Sequence, residues 1–161
     1  MKQIIYVDMD GVLSDFERRY RELFNHEPGE KRDDKFSERW RLFVDGQNFA
    51  SLDIFSGCKE LLEYLDSVPL QKAILSSTGG FADHNNICKQ KTKWLKEHNI
   101  NYPAVFVPGK QFKSGYANSK SVLIDDTLSI ITSFSKAGGS AIHHIDVNET
   151  INYMENWLND R

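Results

Sequence analysis

Two pairs of aspartates each stand at the end of a short apolar run. Asp8 and Asp10 follow Ile4–Val7, and Asp125 and Asp126 end the segment SVLIDD. In extended backbone, residues two apart project from the same face, so the side chains of the first pair should point together. If both runs are central parallel strands, their tips converge, and so many carboxylates do not all stay ionised unaided. A hard divalent cation such as Mg²⁺ resolves this, because it binds carboxylate and phosphate oxygens together.

Each acidic pair alone is also consistent with a solvated turn or a helix cap, but two acid-tipped strands together favour a binding site. Ligands of open α/β sheets bind beyond the carboxyl ends of the strands, which is where both pairs should lie. Gly11 directly follows Asp10 and allows a sharp turn there. A calcium-binding EF-hand loop is excluded, because its glycine stands at the sixth position after three alternating acids.

A third apolar run, AILSSTGG, ends in hydroxyls and glycines. Ser76, Ser77 and the backbone amides that follow could donate hydrogen bonds to phosphate oxygens without adding charge. Taken alone, this segment is equally consistent with an ordinary strand-to-helix turn. Beside the two acidic tips, it indicates an anion site.

The elements that must position these residues alternate between apolar runs and amphipathic stretches. This rhythm predicts an α/β fold, a Rossmann-like three-layer structure in which helices cover both faces of a parallel sheet. The predicted strands are Ile4–Val7, Leu70–Leu75, Ala104–Val107, Val122–Ile124 and Ser140–Ile145. The predicted helices carry four faces: Leu61, Leu62 and Leu65; Ile87, Lys91, Trp94, Leu95 and His98; Leu128, Ile131 and Phe134; and Ile151, Met154, Trp157 and Leu158.

One segment, residues 16–55, breaks this rhythm, because it has two amphipathic stretches and no strand. Apolar side chains at helical spacing form one face in each stretch. The first face is Phe16, Tyr20, Leu23 and Phe24, and the second is Phe36, Trp40, Phe43 and Val44. A polar loop over residues 25–35 joins them. We expect a core of residues 1–15 and 56–161 and a small helical insert between them.

Composition limits the possible functions. The chain has 161 residues, enough for one domain, and a formal net charge of -3, so no overall basic field favours nucleic-acid binding. Cys58 and Cys88 lack zinc-site spacing and are expected to be buried in a reducing compartment. We find no export signal and no segment that could cross a bilayer, and we therefore expect a cytoplasmic protein without a membrane partner.

Taken together, the strand tips resemble the haloacid dehalogenase-like (HAD) superfamily of phosphotransferases. The resemblance rests on DMDGV at residues 8–12, the hydroxyl-ended strand at Ser76, a downstream lysine and the pair Asp125-Asp126. Within that superfamily, DMDGVLSDFE resembles the first motif of the 5'(3')-deoxyribonucleotidases. The likeness continues through QNFASLDIFSGCKELL and SVLIDD, and the insert corresponds to the small helical cap of this family. The short chain is similar to phage and bacterial relatives.

The resemblance implies a role for each acidic residue. Asp8 would attack phosphorus and form an aspartyl-phosphate, which divides one hard displacement into two easier steps. Asp10 would protonate the leaving alcohol, deprotonate the hydrolytic water and offer its backbone carbonyl to Mg²⁺. Asp126 would bind Mg²⁺, and Asp125 would be a second ligand or a hydrogen-bond acceptor behind it. Mg²⁺ is therefore the expected cofactor.

The resemblance also implies phosphate-binding residues. Ser76, with Ser77 beside it, would hold a phosphate oxygen. One lysine must face both the phosphate and the Asp8 carboxylate. Lys110, Lys113 and Lys120 all lie between the third and fourth strands, and we choose Lys113 because it follows a strand tip as the lysine of the family does.

The insert should select the substrate. Phe16 stands where the nucleotidases place an aromatic residue against the base, and Trp40 and Phe43 could complete such a pocket. The alternative is that these rings form the core of the insert itself. The tryptophan of the family has no counterpart at its matching position, where Val44 stands.

We therefore expect a Mg²⁺-dependent phosphomonoester hydrolase, a 5'(3')-deoxyribonucleotidase that acts on nucleoside monophosphates through an aspartyl-phosphate. Another small phosphomonoester, such as a sugar phosphate, and a nucleic-acid 3'-phosphate remain alternative substrates. A non-catalytic phosphate- or metal-binding module is a third possibility. The intact set of predicted site residues argues against it.

Overall fold

A computed structural model describes residues 2–28 and 33–160 of the chain. Five strands form one parallel sheet in the order β3-β2-β1-β4-β5. The strands are β1 Ile4–Val7, β2 Gln71–Ser77, β3 Ala104–Val107, β4 Ser121–Asp125 and β5 Ser140–His143. The predicted α/β class is confirmed, and β1 and β3 have the predicted bounds.

The central strand β1 pairs with β2 on one side and with β4 on the other. Successive strands build outward from β1 to β3, and the chain then crosses back to begin β4 beside β1. The direction in which successive strands are added therefore reverses between β1 and β4, and a crevice forms outside the carboxyl ends of these two strands. Val7 pairs with Ile124, so the two acidic pairs lie at the ends of β1 and β4, at matching positions along the carboxyl edge of the sheet.

Within residues 2–28 and 33–160, six helices accompany the sheet. They are α1 Phe16–Phe24, α2 Phe36–Asp45, α3 Cys58–Ser67, α4 His84–Glu97, α5 Leu128–Lys136 and α6 Val147–Asn159. Two short 3₁₀ helices, Asn48–Ala50 and Lys110–Tyr116, complete the described elements. One side of the sheet joins Ile5, Val7 and Ile124 to a large apolar core, and the other packs Leu75 and Leu123 on α5. Among the described residues, no helix combines the length and apolarity that a bilayer span needs.

The structure corrects several predicted details. β2 continues through Ser76 and Ser77, because these residues still pair with β3, whereas the prediction ended this strand at Leu75. β4 is longer than predicted by one residue at each end, and β5 stops at His143. The predicted face of α5 was partly wrong. Leu128 is 62% exposed, because the helix begins at this residue and turns Ile130 and Phe134 towards the sheet instead.

The insert begins and ends at one place in the structure. The Asp15 N–H donates to the Asp53 carbonyl, and the Phe55 N–H donates to the Leu13 carbonyl. Between these ties lie α1, α2 and the first 3₁₀ helix, and all the described regular structure of the insert is helical. Four residues of its predicted polar loop, 29–32, lie outside the described part of the chain.

A buried glutamine joins the insert to the core. The Gln90 side chain on α4 accepts a hydrogen bond from the Phe49 N–H at 3.1 Å and donates one to the Val44 carbonyl at 2.9 Å. These bonds satisfy backbone groups at the end of the insert that would otherwise be buried without partners. The insert is therefore fixed against α4 as well as against the end of β1.

Candidate functional site

The acidic pairs meet at the centre of the carboxyl edge of the sheet. The Asp8 N–H donates to the Ile124 carbonyl at 3.0 Å, which places Asp8 beside the end of β4. One carboxylate oxygen from each of Asp8, Asp125 and Asp126 lies within 4.8 Å of the other two. The predicted convergence of the strand tips is therefore present in the structure.

Gly11 makes this close approach possible. Its φ of +80° lies in the left-handed region that glycine adopts without strain. A Cβ atom at this position would stand 2.0 Å from Oδ2 of Asp126. The turn after β1 therefore needs glycine for its backbone conformation and for the space that the Asp126 carboxylate fills.

Lys113 lies between the two acidic tips. Its Nζ is 2.9 Å from Oδ1 of Asp8 and 2.6 Å from Oδ2 of Asp125, and the residue is only 2% exposed. Burial alone would lower the pKa of this lysine, but the Asp8 and Asp125 carboxylates outweigh burial and raise it. The ammonium group therefore stays charged and holds both carboxylates in place.

The second acidic pair carries negative charge that Lys113 does not fully balance. Burial and the Asp8 charge raise the pKa of Asp125 to about 6, although Lys113 and the Thr127 N–H oppose this shift. Burial and the charges of Asp8 and Asp125 raise the pKa of Asp126 to about 7. Near neutral pH, a cation at this position would be attracted by carboxylates that lack a sufficient partner.

The charge partner of Asp10 was not predicted from the sequence. Lys91 on α4 is 1% exposed, and its Nζ lies 2.7 Å from Oδ2 of Asp10. The same nitrogen donates to Oγ of Ser76 at 2.8 Å and to the carbonyl of Ser77 at 3.2 Å. Its position on the apolar face of α4 was visible in the sequence, and a lysine on a buried helix face is a signal, because buried lysines need partners.

The two serines of β2 occupy different positions. Ser77 lines the cleft, whereas Ser76 is fully buried behind it and accepts a hydrogen bond from Lys91. A hydroxyl that accepts a bond from an ammonium still carries its own proton, which it can donate. Both serines lie at the predicted edge of the sheet, at the end of β2.

The other two candidate lysines lie at opposite ends of the sheet. Lys110 is exposed, lines the cleft and donates to Oγ1 of Thr127 at 3.3 Å. Lys120 is exposed at the opposite end of the sheet, where its carbonyl accepts a bond from the Ile4 N–H at the start of β1. Lys120 therefore lies away from the acidic tips, and Lys113 makes the contacts with Asp8 and Asp125.

A cleft of about 330 Å³ lies above the acidic tips, and this volume falls within the ordinary range for small-molecule sites. Its floor is polar, with Asp8, Asp10 and Asp126. The insert and the core both contribute to its walls. The aromatic residues that line it are Phe16, Phe36, Trp40 and Phe49.

Of the three aromatic residues predicted to contact substrate, Phe16 and Trp40 line the cleft and Phe43 does not. Phe43 is fully buried, because it packs under the rings of Phe16 and Phe49 at centroid distances of 5.1 and 4.9 Å. Phe49 was not predicted to contact substrate, although its ring stacks on Phe16 at 5.6 Å. The alternative of an internal core for the insert therefore holds for Phe43.

The donor set fits a hard divalent cation. The four aspartates of the two strand tips face two buried lysines, so two negative charges remain when all of these groups are ionised. One divalent ion has the matching charge, and Mg²⁺ prefers carboxylate oxygens. Asp8, Asp125 and Asp126 are the residues whose carboxylates could hold it, because their oxygens are mutually close.

Comparisons with known proteins identify a family for this chain. The family model described as 5' nucleotidase, deoxy (pyrimidine), cytosolic type C protein matches residues 2–136. Comparison with curated proteins finds no match.

Among solved structures, a HAD-superfamily hydrolase from Ehrlichia chaffeensis is 15% identical, with a TM-score of 0.57 over 99% of this chain and 100% of that one. A hydrolase from Streptococcus pneumoniae TIGR4 is 14% identical, with a TM-score of 0.58 over 96% of this chain and 100% of that one. A D,D-heptose 1,7-bisphosphate phosphatase from Burkholderia thailandensis is 11% identical, with a TM-score of 0.55 over 95% and 98%. These structures share the fold.

Proposed function

This chain belongs to the deoxy (pyrimidine) 5' nucleotidase family of cytosolic type C and is a phosphatase of the HAD type, and we propose that it is a Mg²⁺-dependent hydrolase of deoxynucleoside monophosphates. One observation carries the proposal. Asp8, held by a buried lysine, lies on the floor of a cleft that four aromatic side chains help to line. Such a cleft places a nucleophile below a surface that suits a flat ring.

Asp8 is the proposed nucleophile. Its carboxylate attacks phosphorus, the bond between phosphorus and the leaving alcohol breaks, and an aspartyl-phosphate forms. Lys113 contacts Asp8 at 2.9 Å and orients the carboxylate for this attack. Ser76, Ser77 and Lys113 stabilise the charge on the transferring phosphoryl group.

Asp10 is the proposed acid and base. It gives a proton to the alcohol as that group leaves, and then takes a proton from the water that attacks the phosphorus of the aspartyl-phosphate. This second attack releases phosphate and restores Asp8. Asp10 lines the cleft, so its carboxylate can reach both the alcohol and the water.

Asp8, Asp125 and Asp126, with the backbone carbonyl of Asp10, are the groups that we propose to hold Mg²⁺. When bound, the cation supplies positive charge against the phosphate oxygens and orients them. Lys110, which lines the cleft, adds a second cation near the same oxygens.

The insert, residues 16–55, is the proposed substrate-selecting cap. Phe16 and Trp40 stand with their rings 6.3 Å apart at the aromatic end of the cleft. We propose that the base lies against these rings, while Phe43 supports them from the core. The family description names deoxy pyrimidine nucleotides, so these are the first substrates to test.

A panel of phosphate esters with and without Mg²⁺ tests the proposal. The panel contains pyrimidine and purine deoxynucleoside monophosphates, a hexose phosphate and a 3'-phosphorylated oligonucleotide, and phosphate release is measured. We expect Mg²⁺-dependent release that is fastest for a deoxynucleotide and is lost in Asp8→Asn. The exposed Asp160→Asn is the matched control and should behave as wild type.

Each substrate alternative has its own result in this panel. Faster release from the hexose phosphate or from the oligonucleotide would replace the nucleotide as substrate and leave the chemistry in place. Release by Asp8→Asn at the wild-type rate would contradict the proposed nucleophile. Binding of Mg²⁺ without hydrolysis of any ester would favour a non-catalytic phosphate- or metal-binding role.

A further inference from the structure

We propose that Lys91 is a positioning residue that fixes the Asp10 carboxylate for proton transfer to the leaving alcohol. The inference rests on the proposed function, because it assumes that Asp10 is the acid. It assigns to α4, which contributes no strand-tip residue, a part in the chemistry that is exerted through Asp10.

The burial of Lys91 requires an explanation. A lysine ammonium loses hydration when it is buried, and the protein must replace that hydration with hydrogen bonds and an opposite charge. Lys91 is 1% exposed and receives three such partners, namely Asp10, Ser76 and the carbonyl of Ser77. The shortest contact is the one to Asp10, at 2.7 Å, and that partner is the only carboxylate of the three.

Both oxygens of Asp10 are held. Lys91 contacts Oδ2, and Oγ of Ser14 donates to Oδ1 at 3.1 Å. Two donors on the two oxygens fix the rotation of the carboxyl group about its own axis. A proton-transfer group gains its rate from such fixed geometry, since a misplaced donor must be reoriented in every turnover.

The helix that carries Lys91 is itself held in place. The neighbouring Gln90 bonds Phe49 and Val44, so one turn of α4 is fixed between the sheet and the insert. The Lys91 Nζ also lies 5.1 Å from the centroid of the Phe49 ring, where a cation is attracted by the ring face. The ammonium therefore reaches Asp10 from a rigid support.

A direct role as a phosphate ligand fits the structure less well. Lys110 and Lys113 line the cleft, whereas Lys91 does not, and the Lys91 ammonium donates to Asp10, Ser76 and the carbonyl of Ser77. Lys91 should therefore act through Asp10. The choice of leaving group can separate these roles, because only proton transfer depends on how basic the leaving group is.

The first test compares two esters by kcat/KM, which reports the steps through departure of the leaving group. A deoxynucleoside monophosphate releases a basic alcohol that needs a proton, whereas p-nitrophenyl phosphate releases a phenolate that needs none. General acid catalysis contributes about 10²- to 10⁴-fold. We expect Lys91→Met to lower kcat/KM about 10²-fold or more for the nucleotide and less than about 5-fold for the aryl ester.

The exposed Lys93→Met on the same helix is the matched control, and it should leave both values unchanged. Equal losses for the two esters in Lys91→Met would overturn the inference while the proposed function stands. Wild-type protein that hydrolyses neither ester would overturn both. If Lys91→Met does not fold, as judged by circular dichroism, Lys91→Gln is compared in the same way, with the same criteria.

A double-mutant cycle is the second test. If Lys91 acts through Asp10, its removal should cost nothing further once Asp10 is Asn. We expect Asp10→Asn and the double variant Asp10→Asn/Lys91→Met to agree within about 2-fold in kcat/KM for the nucleotide. A further loss of about 10-fold or more in the double variant would show that Lys91 acts through Ser76 or the phosphate, and would overturn the inference.

Discussion

At the scale of single residues, the site is organised by two buried lysines that contact three of the four aspartates. Lys113 holds Asp8 and Asp125, and Lys91 holds Asp10. Asp126 makes no contact with either lysine in the described residues and has its pKa raised to about 7. This division leaves the free negative charge at the position where a cation would bind.

We predict that Lys113→Met lowers kcat/KM at least about 10²-fold, the usual effect of removing one donor that stabilises transition-state charge. Asp8 and Asp125 would also repel each other without the ammonium between them. The measurement is Mg²⁺-dependent phosphate release under matched conditions. The exposed Lys120→Met, at the far end of the sheet, should keep wild-type activity, and equal loss in both variants would contradict the assignment of Lys113.

At the scale of elements, the turn after β1 and the helices of the insert shape the site. The turn brings Asp126 against Gly11, and the insert places aromatic rings over the acidic floor. Neither feature depends on charge, so each can be perturbed without altering an ionisable group.

We predict that Gly11→Ala abolishes Mg²⁺-dependent activity, because a Cβ would displace the Asp126 carboxylate and strain a backbone with φ of +80°. Gly115→Ala is the matched control, since, apart from its own chain neighbours, no atom of the described residues lies within 4 Å of the position where its Cβ would stand. Phosphate release and the Mg²⁺-induced rise in Tm are measured for both. An active Gly11→Ala protein would show that Asp126 can move without loss.

We predict that Trp40→Ala raises KM for a deoxynucleotide about 10-fold, because stacking on an aromatic ring is worth about 1–3 kcal/mol per base. Inhibition by inorganic phosphate should stay unchanged, since phosphate does not reach the ring. Leu42→Ala, an exposed position on the same helix, is the control. A weakening of phosphate inhibition equal to the rise in KM would place the effect on the floor of the cleft and not on the base.

At the scale of the whole molecule, the sheet order brings distant segments to one edge. β1 and β4 are far apart in sequence but adjacent in space, and the crossover between them leaves the crevice that holds both acidic pairs. The charge of the site is therefore a property of the fold and responds to pH as a unit.

We predict that Mg²⁺ raises Tm more at about pH 8 than at about pH 5.5, because protons compete with the cation for Asp125 and Asp126. Their folded pKa values, about 6 and about 7, lie above the ordinary value. The folded protein therefore binds protons at these two groups more tightly than the unfolded chain does. Their contribution to the stability of the metal-free protein is present at low pH and is lost as the pH rises through those values.

Burial lowers the pKa of His144, which acts in the opposite direction on metal-free stability, so the Mg²⁺-induced difference in Tm is the quantity to compare. The Asp126→Asn substitution should remove most of the pH dependence of the Mg²⁺-induced difference in Tm. A Tm difference that is the same at both pH values in wild type would contradict these shifts.

Much of the fold and site could be predicted, because its signals are local. Apolar runs predicted where the five strands lie along the chain, and acids or hydroxyls at their ends marked the edge where Asp8, Asp126 and Ser77 meet. Lys91 could not be assigned in this way. It lies in the middle of α4, and the residue that it contacts, Asp10, is 81 positions away in the sequence. Whether a ring lines the cleft or supports it, as with Phe49 and Phe43, depends on packing that helical spacing alone does not determine.

We propose above all that the phosphoryl group is transferred to the Asp8 carboxylate. Chemical trapping of this aspartyl-phosphate is the most direct test. Protein mixed with a deoxynucleotide and Mg²⁺ is quenched and reduced with borohydride, which converts an aspartyl-phosphate to homoserine, and residue 8 is examined by peptide mass spectrometry. We expect homoserine at residue 8 only when substrate is present. Unmodified Asp8 during turnover, or conversion of a different aspartate, would contradict it.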